Sequence, residues 1–380
     1  MKVMHVITGL GDGGAEASLY RLCEHDIDNT HHVVSLSTFG KHGPMLEGLG
    51  IDVAVLNMSP RRPSAIGFYR LVRLLRSKRP DVVQTWMYHG DLIGGLCARL
   101  AGIKAVVWGV RHSTLEPRKS KRTTVLIAKW LAKLSSWVPV KIVVCAQRGM
   151  EVHTSLGYEK SKMIYIPNGY DLRKLSPMPV GQAERKAHLA SGKSASVLGM
   201  VSRFAPEKDH ANLLEALAIV KKRGVTFYCL LVGAGVSQSN SELMGLIGKH
   251  GLSKSVDVLG QRTDIPQFMN GLDLHVLSSS SEGFPNVVAE AMACGTPCVV
   301  TDVGDAGEIV GDTGWVVPPK NSDALADAIE VALKEMNGEH WASRCDSARA
   351  RIENHYSIGK MVMAYNAVWK EALDGSALGS

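Results

Sequence analysis

The sequence predicts an α/β protein of two doubly wound domains, each a parallel sheet with helices on both faces. Short apolar, β-branched runs alternate with helical stretches along nearly the whole chain, the pattern of strands joined by crossover helices. A chain of 380 residues exceeds one ordinary domain, and 45% apolar residues suffice for two cores. Pro-, Gly- and Ser-bearing sequence near the middle, residues 171–195, reads as a linker region between a first domain over 1–170 and a second over 196–357.

In the first domain, strand 3–8 and helix 15–23 flank Gly9-Leu10-Gly11-Asp12-Gly13-Gly14. Formally this is G-x-G-x-x-G between strand and helix, but a dinucleotide site also wants an acid closing the second strand. Residues 32–37 are followed by Thr38, Phe39, Gly40 and Lys41, so an NAD site is disfavoured. Gly13 and Gly14 still allow backbone to approach a ligand closely, or serve only a tight turn. Strand 51–56, helix 64–77 with Arg70, Arg73 and Arg76, strand 81–86 and a helix over 91–101 follow. Strand 105–110 leads to Arg111-His112-Ser113, which puts His112 at the carboxyl end of a strand, where open sheets bind ligands. A histidine in such a place is more often structural than catalytic.

Residues 119–137 interleave Lys119, Lys121, Arg122, Lys129 and Lys133 with Val125, Leu126, Ile127, Trp130, Leu131, Leu134 and Trp137. Such a helix either turns an apolar stripe to the core or adsorbs to an anionic membrane. Residues 61–141 carry 17 Lys and Arg against three acids, which is +14 in a chain of +7 and leaves −7 elsewhere. A basic face also suits nucleic acid, but no zinc finger, RRM signature or aromatic-interleaved stripe supports it, and no nucleic-acid partner is expected. Strand 141–146, helix 148–155 and the turn residues Pro167-Asn168-Gly169-Tyr170-Asp171 close the domain.

The second domain opens with strand 197–202, then Arg203-Phe204-Ala205-Pro206-Glu207-Lys208 and helix 210–222. Arg203 and Lys208 read by composition as solvent charges. Strand 226–232 ends at Gly233-Ala234-Gly235 without a third glycine, and strand 255–260 precedes Gln261-Arg262-Thr263-Asp264-Ile265-Pro266. After strand 273–277 comes Ser279-Ser280-Ser281-Glu282-Gly283-Phe284-Pro285-Asn286-Val287-Val288-Ala289-Glu290. Pro285 suits a first helical position, so the N–H groups of 286–288 and the helix dipole face whatever lies before them, as a phosphate would. Glu290 sits one turn further in on an almost wholly apolar helix and needs a partner. Strands 298–301 and 315–317 and a capped helix starting at Ser322 and Asp323 complete the domain; a last helix over 358–373 follows, with 374–380 expected to be disordered.

Glu282-Gly283-Phe284-Pro285-Asn286, continuing through Glu290-Ala291-Met292-Ala293-Cys294-Gly295-Thr296-Pro297, closely resembles the Glu-x7-Glu block of retaining GT-B glycosyltransferases of family 4. The resemblance implies two Rossmann-like domains facing each other across a cleft, with the 358–373 helix crossing back to the first. It implies that Glu290 holds the ribose, that Glu282 lies beside the donor sugar, and that the backbone of Gly283, Phe284, Pro285, Asn286 and Val287 meets the diphosphate. Arg203 and Lys208 resemble the pair of cations that grips that diphosphate, a role a metal fills in other transferases, so no metal cofactor is expected. Arg262 and the Ile265 backbone would lie near the base. Gly13 and Gly14 would lie in the cleft, and His112 would orient sugar hydroxyls or relay a proton. Gly304 to Glu308 resembles a further segment near the site. The implied activity is transfer of a sugar from a nucleotide-diphosphate donor, UDP-sugar foremost, to a glycan or lipid-linked acceptor in bacterial surface polysaccharide or glycolipid synthesis. A sugar-nucleotide 2-epimerase of the same fold and a non-catalytic membrane adaptor are the rivals.

No stretch approaches the roughly 18–20 uninterrupted apolar residues of a membrane span, and the chain runs from Met1 straight into a strand without a signal-peptide pattern. A cytoplasmic protein, peripheral on the inner membrane face, is expected. Seven scattered cysteines read as reduced core residues. Cys294 and Cys298 alone are too few for zinc.

Overall fold

The computed structural model describes residues 1–58, 65–111, 122–178 and 195–377. It divides into two compact units, Met1–Gly169 with Ile358–Ser380, and Tyr170–Ser357.

In the first unit the chain runs β1 (Lys2–Ile7), α1 (Gly14–His25), β2 (Thr30–Ser35), α2 (His42–Gly48), β3 (Asp52–Val55), α3 (Ala65–Lys78) and β4 (Val82–Trp86). It continues through α4 (Met87–His89), a π-helical turn over Gly90–Gly94, α5 (Gly95–Leu100), β5 (Val106–Val110), α6 (Arg122–Leu134), β6 (Lys141–Val144), α7 (Gln147–Leu156) and β7 (Met163–Tyr165). All pairings are parallel and the order is β3-β2-β1-β4-β5-β6-β7. Alternation along β1 fills two cores: Met4 and Val6 join Leu71, Ala98 and Leu131 under α3, α5 and α6, whereas Val3 and Ile7 join Leu19, Leu22 and Trp86.

The second unit runs β8 (Ser196–Val201), α8 (His210–Lys222), β9 (Phe227–Val232), α9 (Ser241–Lys249), β10 (Val256–Val258), α10 (Ile265–Asn270), β11 (Leu274–Leu277), α11 (Asn286–Ala293), β12 (Cys298–Thr301), α12 (Ala306–Val310), β13 (Trp315–Val317), α13 (Ser322–Glu335) and α14 (Trp341–His355). Its parallel sheet has the order β10-β9-β8-β11-β12-β13. The chain then returns to the first unit as α15 (Ile358–Ala377), which buries Met361, Tyr365, Val368, Trp369 and Ala372 in that unit's core.

Several elements differ from the sequence expectation. The helix expected over 91–101 begins earlier and is interrupted by the π turn, an irregularity that leaves the apolar pattern unchanged. α13 starts at Ser322 as expected, and its cap is Asn321, whose side chain accepts from the Ala324 N–H. α15 continues through 374–377, part of the tail expected to be disordered. Residues 170–178 pack with the second unit; Arg349 of α14 fixes this segment through the Leu172 carbonyl at 3.1 Å and the Leu175 carbonyl. Of the linker region, 179–194 lie outside the described residues, as do 112–121 with His112.

Candidate active site

In the second unit the strand order reverses between β8 and β11, the switch point beyond whose carboxyl ends open sheets bind ligands. Arg203 and Lys208 follow β8, and Glu282 follows β11. Lys208 ends the short 3-10 turn Pro206–Lys208, after which Asp209 takes a left-handed φ of 49° and caps α8. Lys208 Nζ donates to Glu282 Oε1 at 2.6 Å, and Ser279 Oγ donates to the same oxygen at 2.6 Å. The two loops are latched by their backbones: Ser280 N–H donates to the Glu207 carbonyl at 2.8 Å, and Ser278 Oγ reaches the Lys208 and Asp209 carbonyls at 3.1 and 3.0 Å. Arg203 pairs with Glu207 and is otherwise exposed.

Glycines let three loops crowd this point. Gly304 has φ +56°, and a Cβ there would stand 2.2 Å from the Gly283 carbonyl oxygen; Asp305 N–H donates to that same oxygen at 3.0 Å. A Cβ on Gly233 would stand 1.9 Å from the Ser202 carbonyl oxygen, beside Arg203. The Glu282–Gly283 backbone is therefore pressed into position from behind.

Pro285 is the N-cap of α11 rather than its first helical residue. Val288 N–H donates to the Pro285 carbonyl at 3.1 Å, so the helix itself uses one of the three N–H groups expected to face a ligand. Tyr170 OH donates to Asn286 Oδ1 at 2.6 Å. Phe284 and Pro285 are buried, with the Phe284 ring 5.8 Å from that of Tyr356, so this stretch offers a ligand its backbone rather than its side chains. Val287 and Glu290 are half-buried. Burial pushes the Cys294 thiol up to about 12, with the Glu290 charge adding and Arg349 opposing. Arg262 is bound to Asp264, with Nε 2.9 Å from Oδ1, and lies over the Phe268 ring; Ile265 is the first residue of α10.

The first unit has the same kind of switch point between β1 and β4, and the glycine loop leaves from it. Gly13 is the N-cap of α1 and Gly14 its first residue. Gly40, at φ +53°, lets the segment after β2 lie on Leu10 and Gly11, where a Cβ would stand 2.2 Å from the Leu10 oxygen. His42 Nδ1 is bonded to the Gly11 carbonyl at 2.6 Å and Lys41 pairs with Asp12 at 2.8 Å. Lys41 thus braces the loop from the place where a dinucleotide site would want its acid.

Arg111 lies 4.4 Å over the Trp86 ring, donates to Asn168 Oδ1 at 2.8 Å and bonds the Tyr365 hydroxyl, tying β4, β5 and α15 together. Behind Trp86 runs a buried relay that sequence reading missed, because His5 and His31 sit inside strand runs where nothing in the sequence marks a side-chain partner. Trp86 Nε1–H donates to His5 Nδ1 at 3.2 Å, which leaves the His5 proton on Nε2 to donate to His31 Nδ1 at 2.9 Å. His31 Nε2 then faces Asp26 at 3.3 Å. Burial holds His5 well below its ordinary pKa. Hydrogen bonds from His31, Asn29 and Asn366 outweigh burial and bring Asp26 down to about 2. His5, Cys23 and His31 are close enough to share a cation, but the relay already commits both imidazoles. Asp91, in the π turn, accepts from Thr85 Oγ1 at 2.5 Å and Gly109 N–H at 3.1 Å.

Two family models cover most of the chain: Glycosyltransferase Family 4 matches residues 12–174 and Glycosyl transferases group 1 matches residues 182–351. The chain belongs to the family-4 glycosyltransferases. This family-4 chain is 27% identical over 297 residues to the Escherichia coli UDP-Gal:alpha-D-GlcNAc-diphosphoundecaprenol alpha-1,3-galactosyltransferase, covering 77% of this chain and 76% of the relative. It is 27% identical over 304 residues to the Campylobacter jejuni N,N'-diacetylbacillosaminyl-diphospho-undecaprenol alpha-1,3-N-acetylgalactosaminyltransferase, covering 76% and 78%. Anabaena HepE, solved in complex with UDP, superposes with a TM-score of 0.85 at 23% identity over 98% of this chain and 100% of its own, which establishes the GT-B fold. Among the described residues of the enzyme no helix is long and apolar enough to cross a membrane.

Proposed function

We propose that this glycosyltransferase moves a sugar, with retention at the anomeric carbon, from a UDP-sugar to a lipid-linked or glycan acceptor in the assembly of a bacterial surface polysaccharide or glycolipid. It does so without a metal, at an anionic membrane surface reached through the basic region 61–141. The observation that carries this reading is the Lys208–Glu282 pair, 2.6 Å apart at the switch point, with Arg203 on the same loop as Lys208 and the N-terminus of α11 following Glu282. The UDP-Gal donor and diphosphoundecaprenol acceptor for which the Escherichia coli relative is named agree with it.

In this mechanism Lys208 and Arg203 exchange their carboxylate partners for the donor diphosphate and offset the charge that grows on it as the C1–O bond to phosphate breaks. Glu290 holds the ribose, so the two glutamates are not the acid and nucleophile of a glycosidase. Glu282 lies beside the sugar. The leaving diphosphate takes the acceptor's hydroxyl proton on the face where the new C1–O bond forms.

The test is thermal unfolding with UDP, GDP, ADP, CMP and NAD, repeated with Glu290→Ala. Ligand at about a hundred times its Kd adds roughly 2.7 kcal/mol to the native state. A shift with UDP alone, lost in the variant, is expected; a shift with NAD alone would sink the transferase site. Turnover abolished by EDTA and restored by magnesium would refute the metal-free part, and an inverted product anomer by NMR the retaining part.

A further inference from the structure

The outer face of the α3–α5–α6 layer of the first unit combines two properties that rarely coincide on a water-facing surface. These helices contain no Asp or Glu. Together with Trp137, just past α6, they also carry half of the large apolar side chains exposed among the described residues: Ile66, Tyr69, Leu100, Leu126, Trp130 and Trp137. On α6 the inward stripe is Ala128, Leu131 and Ala132. A second, outward stripe runs Leu126, Trp130 and on to Trp137 just past the helix, at helical spacing, with Trp130 58% and Trp137 63% exposed. Lys129 and Lys133 flank it, Lys133 lying 5.7 Å from the Trp130 ring centre. On α3 the exposed positions include Ile66, Tyr69, Arg70, Arg73 and Arg76.

Arginines stitch these stripes into one surface. Arg76 Nη2 donates to the Leu100 carbonyl at 2.9 Å, joining α3 to α5, and Arg99 Nε donates to the Val138 carbonyl at 2.8 Å, joining α5 to the end of α6. Between the ends of α3 and α5 the surface sinks into a recess of about 600 Å³ that presents Arg76, Arg79 and Lys104. The acid lining it, Asp81, already accepts from the Lys2 N–H at 2.7 Å.

We infer that this helix layer is the face on which the protein lies against an anionic bilayer. Trp130, Trp137 and Tyr69 sit at the depth of the headgroups, Leu126 and Ile66 enter the acyl boundary, and Arg70, Arg73, Lys129 and Lys133 meet lipid phosphates. The recess at Arg76, Arg79 and Lys104 takes the phosphate of one headgroup. Aromatic and aliphatic groups interleaved with unopposed cations match a surface that is negative outside and apolar within; a folded protein partner would also present donors and both signs of charge. The inference rests on the membrane part of the proposed function and specifies which surface performs it.

The experiment is co-sedimentation of the full chain with phosphatidylglycerol and with phosphatidylcholine vesicles, for wild type, Trp130→Ser/Trp137→Ser, and Arg76→Gln/Arg79→Gln. Binding to the anionic vesicles, weakened at least tenfold by the tryptophan pair with the UDP-induced thermal shift retained, is the expected result. The arginine pair should weaken binding to phosphatidylglycerol severalfold, and inorganic phosphate at millimolar concentration should not reproduce that loss by competition. Competition by phosphate as strong as the loss in the variant would assign the recess to a free anion and overturn its role as a headgroup site. Wild-type binding unaffected by the tryptophan pair would place the membrane contact on another face and overturn the inference while leaving the membrane reading intact. No binding by wild type would remove both, and the UDP shift would still report on the transferase site. A wild-type dimer split by the tryptophan pair would show a second copy covering this face, and would overturn the inference as well.

Discussion

Lys208 and Glu282 hold each other in a setting that is mostly shielded from water, with side chains 19% and 11% exposed. Replacing Lys208 with Met takes the ammonium from the Glu282 carboxylate, a loss on the order of 1–3 kcal/mol in urea unfolding. In the proposed mechanism the same ammonium serves the leaving diphosphate, so turnover should fall about 10²–10³-fold; unchanged turnover would remove Lys208 from the mechanism. Asp91 makes a separate, pH-dependent prediction. Burial pushes its carboxyl up to about 7, against hydrogen bonds from Thr85 and Gly109 and the charge of Arg111. The folded state therefore binds this proton more tightly than the unfolded state, and its contribution to stability is present below about pH 4 and is lost as pH rises through about 7. Asp91→Asn should raise the unfolding temperature at pH 8, by the equivalent of about 2–4 kcal/mol, and leave it nearly unchanged at pH 4; equal shifts at both would refute this. Of these residues Lys208 and Glu282 were legible, though only through resemblance, since no local pattern joins positions 74 apart. Ser279 and the His5–His31–Asp26 relay were not, because buried polar partners carry no periodic signal.

Loops and helices repeat the same lesson at the scale of elements. Strands stood out as apolar, β-branched runs, and β12 lies where it was expected, at Cys298–Thr301. α14 was missed because its sequence, Trp-Ala-Ser-Arg-Cys-Asp-Ser-Ala-Arg, is polar along most faces, with Ala348 and Ile352 its buried residues. Short α2 and glycine-bearing α9 were missed for want of length and propensity. The loop after β12 allows the sharpest test. Gly304→Ala puts a Cβ into the Gly283 carbonyl at a left-handed φ, so stability should fall by more than about 1 kcal/mol, and activity with it, as the Glu282 backbone is displaced. Gly248→Ala, within α9 and facing open space, should instead stabilise by about 0.5–1 kcal/mol. Similar unfolding midpoints for the two variants would contradict the role assigned to the close contact.

The whole chain makes two doubly wound sheets, and that much followed from alternation and length. Which unit owns the last helix did not, since the apolar face of residues 358–373 would fit either core; resemblance supplied it, and Trp369, bonded to Gln84 at 3.0 Å, fixes it within the first unit. A chain stopped after Ser357 should lose the first unit's cooperative unfolding and bind ANS strongly, because Ile7, Leu19, Leu22 and Trp86 lose the cover of α15. The return of α15 also sets an order for biosynthesis. The first unit leaves the ribosome first but is the last to be completed, since 188 residues of the other unit are made in between. At about 5–20 residues per second that is a wait of roughly 10–40 s, during which one apolar flank of the nascent sheet stands open as a chaperone client while the later-born unit already has everything it needs to fold.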